Sequence, residues 1–406
     1  MINYENLETP CFIIKESVFE NSVRQFRKNL DRYFSKNIIG YSVKTNSTPY
    51  LLKLAKKELC YAEVVSYDEY NLALLCGFPK NRIIYNGPMK NKDTFLDAIK
   101  NGAIVNIETK REMFWLNELP SDKQYKVGIR LNINISKVSA DDTDKENDDS
   151  RFGFSYEDGE LHEVIGYIKN LHNIRLCGIH IHRTSKTRSV SFYKNIITYA
   201  AGIIKELNLN LEYIDIGGGY YGIMKGKPTF EEYSEIFYET LSKYSLNNLC
   251  IIVEPGSAII ASAFDYLLEV IDTKKVGKSF FITTNGTRND IDPLYHKTSY
   301  IGIEIIKKNN IDRDIVCKQI VSGCTCLEFD RIIEFNNTEK LETGDIILFQ
   351  NTGAYTMCLS PLFIRFFPKI YALDKCGNFT CVRNKWNAEM YVQYSFINSK
   401  LPKLAY

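Results

Sequence analysis

The sequence is poor in the residues that build metal and disulfide frameworks. It has 5 histidines in 406 residues, and none of its 11 cysteines forms a Cys-x-x-Cys pair. A zinc site needs three or four such ligands at close spacing, so no structural metal is expected. Long apolar runs are missing too. None approaches the roughly 18–20 residues that cross a bilayer, and no transmembrane helix is expected. Charge excess is also absent, with 51 basic against 49 acidic residues and a net charge of +2. That excludes a general pull towards nucleic acid or anionic membrane, while local basic patches stay open. The first ten residues, MINYENLETP, are polar and unlike a secretory signal. Without a disulfide framework, a cytoplasmic location is the expectation.

What is present is the balance of a globular chain, with 45% hydrophobic and 25% charged residues. Its length suits two domains, or one large barrel with an addition. Cysteines inside apolar runs, such as Cys177 in IRLCGIHIH and Cys250 in LCIIVE, read as buried free thiols.

Eight short β-rich runs recur: 38–44, 61–65, 82–87, 103–108, 125–133, 174–182, 211–217 and 249–255. Segments between them, including TPYLLKLAKK and FYKNIITYAAGIIKEL, repeat apolar residues at helical spacing. Eightfold strand–helix alternation predicts an α/β fold, a parallel (β/α)8 TIM-like barrel. After about residue 258 the runs are separated by turns without long helices, which predicts a C-terminal, mostly antiparallel β domain. The early run CFIIK precedes the barrel and is expected to join that domain. The expected bounds are 1–25 for the N-terminal strand region, 26–265 for the barrel and 266–406 for the β domain. The polar run SADDTDKENDDS (139–150) reads as a surface loop, a mobile lid, or both.

Barrel chemistry belongs at the C-terminal strand ends. Lys44 ends the first run, and a desolvated lysine there can attack a carbonyl to form a Schiff base; a solvated lysine is the plainer reading. IDIGGGY puts Gly217, Gly218 and Gly219 after a strand, suited to a phosphate or to a tight turn. VEPGS puts Glu254 at the next strand end, where it can hold a ring nitrogen protonated or be a turn carboxylate. HIHRTS carries two histidines on one strand face. A metal pair is conceivable, but no third ligand is evident, and stacking on a flat ring or simple packing is preferred. SGCTCLEFD and NTGAY are strand-and-turn sequence when read alone.

The order of these pieces carries more than each piece does. YSVKTN, EVVSYDE, NGPMK, RFGF, HIHRTS, GGG, EPG, GCTC with a following Asp, and GAY resemble the fold-type III pyridoxal-phosphate decarboxylases over about residues 10 to 370. That family includes ornithine, arginine and diaminopimelate decarboxylases. The resemblance implies pyridoxal 5'-phosphate as cofactor, bound as a Schiff base by Lys44. It implies His182 stacked on the ring, with Arg183 and Thr184 replacing the family's usual small pair. Ser185, Gly217, Gly218, Gly219, Gly256, Ser257 and Tyr355 would serve the phosphate. Glu254 would pair with the ring nitrogen, and Glu63 would lie near the ring. Cys326 would reach a partner's site and return a proton, as Lys44 also can. Arg151 and Asp330 would pair across a homodimer with shared active sites.

Racemases of this fold usually set an arginine against the ring nitrogen, so Glu254 favours a decarboxylase over a racemase. A non-catalytic relative is opposed by the retention of Lys44 and Cys326. The substrate positions depart from the family's pattern. Leu327, followed by Glu328, stands where diamine-forming enzymes bind the distal amine. Ser257 and Asp292 stand where diaminopimelate enzymes place arginines, while Tyr295 is retained. These departures, and the tail GDIILFQNTGAYTMCLSPLFIRFFPKIY, resemble decarboxylases of specialised metabolism. Those act on α-amino-acid groups of larger conjugates, such as siderophore precursors, carrier-protein-bound acyl groups or nucleotide-peptide antibiotics. A free diamino acid of the diaminopimelate or ornithine type is the alternative, and no nucleic-acid or membrane partner is implied. The tail after residue 395 carries no reading.

Overall fold

The computed structural model describes residues 4, 6–142, 149–309 and 311–393. The chain divides into two compact units, one of residues 19–261 and one of residues 1–18 with 262–406. In the second of these lies the first strand, β1 (Cys11–Lys15).

The 19–261 unit is built on β2 (Asn37–Ser42), β3 (Tyr61–Ser66), β4 (Ile83–Met89), β5 (Ile104–Ile107), β6 (Tyr125–Asn132), β7 (Phe154–Ser155), β8 (Ile174–His180), β9 (Tyr213–Asp215) and β10 (Cys250–Val253). Parallel pairings run β2–β3–β4–β5–β6–β8–β9–β10, and β10 pairs back onto β2. This closes the eight-stranded parallel barrel that the alternating runs predict, with the two-residue β7 added beside β6. Buried β-branched residues line the strands because both faces are covered. The first barrel strand, β2, stops at Ser42, so Lys44 sits in a 3-10 turn (Val43–Thr45) just past it. The histidine strand stops at His180, and His182 lies beyond it.

Amphipathic helices cover the strands. The helix Val190–Glu206 starts at Ser189, whose side chain accepts the Phe192 N–H, and it buries Phe192, Ile196, Ile197, Ala200, Ile203 and Ile204. Each large apolar side chain removed from water there contributes about 1.5–3 kcal/mol. The helix Phe230–Lys243 opens with a reciprocal Thr229–Glu232 capping box. Phe230 stacks on Phe26 at 4.4 Å, and Tyr193, Tyr220, Tyr233 and Phe237 form an aromatic cluster.

In the other unit, the long strand β11 (Phe264–Val276) organises the sheet. It is followed by β12 (Ser279–Thr284), β13 (Ile303–Ile306), β14 (Ile315–Ser322), β15 (Arg331–Glu339), β16 (Ile346–Gln350), β17 (Lys369–Leu373) and β18 (Phe379–Arg383). Only β1–β17 and β12–β14 pair in parallel; the other pairings are antiparallel. β1 lies between β11 and β17, and Cys11, Ile13, Leu267, Leu348 and Leu373 form a core cluster.

The cysteines are less uniformly buried than their apolar neighbours suggest. Four are buried, three are intermediate, and Cys317, Cys326, Cys376 and Cys381 are exposed; all are free. Cys381 lies on the edge strand β18, Cys326 and Cys376 lie between strands, and Cys317 lies on β14. Of the acidic run 139–150, residues 143–148 lie outside the described residues. Asp142 is buried, so this part of the run belongs to the folded unit. Among the described residues, no helix is long and apolar enough to cross a membrane.

Candidate active site

The site grows from the C-terminal ends of the barrel strands. Lys44 Nζ donates to Glu63 Oε2 at 2.6 Å. The lysine side chain is 35% exposed, so its amine is reachable, while Glu63 is buried. Ser42 Oγ donates to the same Glu63 oxygen at 2.8 Å. Across the barrel, Glu254 follows β10 and is also buried. Asn86 Nδ2 donates to Glu254 Oε1 at 2.6 Å and to Glu63 Oε1 at 3.2 Å.

His180, Asp215 and Glu254 bring one donor atom each to within 4.8 Å of one another. The sequence shows no third ligand beside the two histidines because the carboxylates come from distant strands. The cluster has an explanation without a cation. Burial, and then the Glu254 carboxylate beside it, push the Asp215 carboxyl well above its usual range, so it is a neutral acid that hydrogen-bonds Glu254. Asp215 Oδ1 also accepts the Gly217 N–H at 3.0 Å.

The two histidines are held as neutral rings. Burial, followed by the charge of Arg130, drives His180 well below its usual range and His182 down to about 3. Their planes lie 8° apart with centroids 6.2 Å apart. His182 Nδ1 accepts the Gly218 N–H at 3.2 Å, and Arg130 Nη2 donates to the His182 carbonyl at 3.3 Å. Arg130 itself is anchored by Glu108 at 3.0 Å. Next to it, Lys90 and Glu112 form an ion pair at 3.2 Å with both side chains fully buried. At the rim, Glu69 accepts the Val65 N–H, and burial raises its carboxyl to about 7.

The glycine run fits closely. A Cβ on Gly218 would stand 2.3 Å from the Glu254 carbonyl oxygen, and Gly217, at φ +77°, would place one 2.4 Å from His182 Cβ. The amides of Gly217 and Gly218 already serve Asp215 and His182. The Gly217 and Gly218 carbonyls accept from Tyr220 and Tyr193. Only Gly219 of the three has an N–H without an acceptor among the described residues. Gly256 caps the short helix Ser257–Ile260.

The structure thus brings together Lys44, Glu63, His182, Gly217, Gly218 and Glu254. Ser185 is placed otherwise: its Oγ donates to Asp142 at 2.6 Å and accepts the Arg188 N–H at 2.6 Å. Asp142 thus engages the Ser185 hydroxyl in this structure. Arg151 is exposed, over the Phe152 ring at 4.8 Å.

The remaining expected residues lie in the other unit. Cys326 and Glu328 are exposed, and Leu327 is half-buried. Tyr355 is 44% exposed at φ 53°. Tyr295 Oη donates to Asn289 at 2.7 Å. Asp292 accepts two bonds from Arg288, at 2.9 and 2.7 Å, and the N–H groups of His296 and Lys297. Asp330, expected at a dimer interface, is engaged within its own unit. It is 2% exposed and accepts from Thr287, Thr325 and the Arg288 N–H.

Sequence reasoning missed Asn86, Asn106, Arg130 and Asp215. The available signal was a polar residue interrupting a buried apolar strand, as in YNG, IVNIE and YIDIG.

The model of the family described as pyridoxal-dependent decarboxylase, pyridoxal binding domain, matches residues 17–261. Diaminopimelate decarboxylase of Aquifex aeolicus is 26% identical over 398 residues, covering 95% of this chain and 91% of that protein. L-glutamyl-(BtrI acyl-carrier protein) decarboxylase of Niallia circulans is 23% identical over 407 residues, covering 95% and 93%. The fold is that of the crystal structure of diaminopimelate decarboxylase from Methanocaldococcus jannaschii with L-lysine. The TM-score is 0.82 at 22% identity, covering 96% of this chain and 92% of that one.

Proposed function

The chain belongs to the pyridoxal-dependent decarboxylases, and from that premise we propose that it removes the α-carboxylate of an amino-acid group carried on a larger conjugate. It is a carboxy-lyase whose cofactor is pyridoxal 5'-phosphate. When bound, the cofactor supplies an aldehyde for amines and a ring that accepts the electron pair left by carbon dioxide.

The residues present suit that group. Lys44 would hold the aldehyde end, and Glu63 Oε2, 2.6 Å away, can take a proton from Nζ and leave the amine nucleophilic. Glu254 would keep the ring nitrogen protonated, and the neutral His182 imidazole would offer a flat face. Both buried ring nitrogens of His180 lack a hydrogen-bond partner among the described residues, with Glu254 Oε2 3.6 Å from Nε2, which leaves polar capacity at this place for a ligand. The Gly219 N–H and the backbone at Gly256 and Ser257 would serve the phosphate. The observation that carries decarboxylation over racemisation is Glu254: the group set for the ring nitrogen is a buried carboxylate, not a guanidinium.

The conjugate is supported by the loss of a second carboxylate receptor. Ser257 is uncharged, and Asp292 is saturated by Arg288 and two backbone N–H groups, which neutralises both side chains. The Niallia relative is named for a carrier-protein substrate. A free diamino acid is the second reading, favoured by the diaminopimelate decarboxylases among the relatives. We further propose a homodimer in which the exposed Cys326 of one copy completes the site of the other and returns the proton.

Carbon dioxide release from a panel of free diamino acids and conjugated α-amino acids tests the substrate class. Turnover confined to conjugates is expected. Rapid turnover of free diaminopimelate overturns the conjugate and leaves the decarboxylase.

A further inference from the structure

An uncharged hydrogen-bond chain runs through the barrel interior and ends on the two active-site carboxylates. Tyr213 Oη donates to Asn106 Oδ1 at 2.8 Å, and Asn106 Nδ2 donates to Asn86 Oδ1 at 2.8 Å. Asn86 Nδ2 then donates to Glu254 Oε1 at 2.6 Å and to Glu63 Oε1 at 3.2 Å. All five residues are buried.

Each link has a single direction. Burial raises the Tyr213 hydroxyl well above its usual range, so it stays a donor. Asn106 then offers its oxygen to the phenol and its amide protons to Asn86 and, at 3.4 Å, to Asp215 Oδ2. Asn86 must offer its protons to the carboxylates, since a flipped amide would set its oxygen against two carboxylate oxygens. The acceptor-only carboxylates therefore order the two amides, and the phenol closes the far end by donating to the oxygen that this order leaves.

The sequence makes room for this chain. Asn106, Gly128, Gly178 and Tyr213 are register partners on the neighbouring strands β5, β6, β8 and β9. A Cβ on Gly178 would stand 2.0 Å from Tyr213 Cζ. One on Gly128 would stand 2.1 Å from both Tyr213 Oη and Asn106 Oδ1. The tyrosine lies across two strands that carry no side chain at that level. Glycine inside a strand weakens it, and here the space it leaves is filled by the chain.

We propose that Asn86 is a positioning residue for the reaction, holding Glu254 and Glu63 in one fixed arrangement, and that Tyr213, through Asn106, braces the Asn86 amide. This rests on the reading of Glu254 as the partner of the ring nitrogen. One amide group thereby ties the acid assigned to the ring to the acid that holds Lys44. Its N–H stabilises the carboxylate form of Glu254 and keeps that carboxylate from swinging.

The test uses holoenzyme carrying pyridoxal phosphate labelled with nitrogen-15 in the ring, with the nitrogen resonance, kcat and KM measured together. In Asn86→Ala the resonance should move towards that of unprotonated pyridine. Its kcat should fall about ten- to a hundredfold, the range for a lost hydrogen bond to a charged group, while KM changes less than about threefold. Tyr213→Phe keeps the ring in its glycine-lined slot and should give a smaller change in the same direction; it carries the test if Asn86→Ala does not fold. Variants that melt lower but keep the wild-type resonance and kcat overturn the proposal, leaving the chain a structural one. A wild-type resonance that ignores Glu254→Gln overturns the reading of Glu254 instead.

Discussion

His182 Nδ1 accepts the Gly218 N–H at 3.2 Å, so the ring proton of the neutral imidazole is on Nε2. Protonating Nδ1 would break this bond inside a buried site beside Arg130. The folded-state pKa is about 3 against an ordinary 6.5. Below 6.5 the unfolded chain binds a proton that the folded chain refuses. Stability is therefore full above 6.5, is lost as pH falls towards 3, and stops changing below that. His180 adds a second loss of the same sign. Thermal melts should show a drop that sets in near pH 6.5 and continues towards pH 3. In His182→Asn that drop should be shallower without vanishing, because His180 remains. An unchanged slope would place the titration elsewhere.

The Lys90–Glu112 pair is wholly out of water, so its removal should not resemble loss of a surface ion pair. Lys90→Met strands a buried carboxylate and should cost about 3–5 kcal/mol in denaturant unfolding. Lys90→Met combined with Glu112→Gln should recover most of that, since the amide oxygen can still accept the Glu108 N–H. A double variant as unstable as Lys90→Met alone would contradict the unpaired-charge explanation.

The shared-site proposal predicts complementation. Lys44→Ala and Cys326→Ala enzymes should each be nearly inactive. Mixed and exchanged, they should form heterodimers with one intact site and recover activity towards about a quarter of wild type, from half the dimers carrying one of two sites. No recovery after mass spectrometry has verified subunit exchange would count against Cys326 serving its neighbour.

Asp142 accepts from Ser185 Oγ, Thr187 N and Thr187 Oγ1, which together hold its carboxyl below the usual range despite burial. Asp142→Ala should cost about 1–3 kcal/mol. It should also raise hydrogen exchange in residues 185–189, seen by mass spectrometry. Exchange unchanged there would mean that the loop is held by other contacts.

The barrel was legible because each strand is a short apolar run and each interval repeats at helical spacing, signals that survive in one sequence. Lys44 was legible as a cation closing an apolar run, and Glu254 as an acid in the same position. Asn86 was not: it meets Glu254 across 168 residues of chain, and only closing the strand ring brings them together. The intrachain partners of Ser185 and Asp330 were hidden for a related reason. Asp142, 43 residues before Ser185, and Thr287, 43 before Asp330, claim these side chains, and neither pairing has a periodic signature.

The insertion of β1 between β11 and β17 also bears on the order of synthesis. Residues 11–15 leave the ribosome early, but their hydrogen-bonding neighbours emerge only with residues 264–276 and 369–373. Until then CFIIK is an apolar strand with two open edges, the kind of segment that recruits other chains. The barrel can complete its ring while this strand waits. A chain cut short after the barrel would carry a folded cylinder and an apolar strand with neither neighbour to pair it.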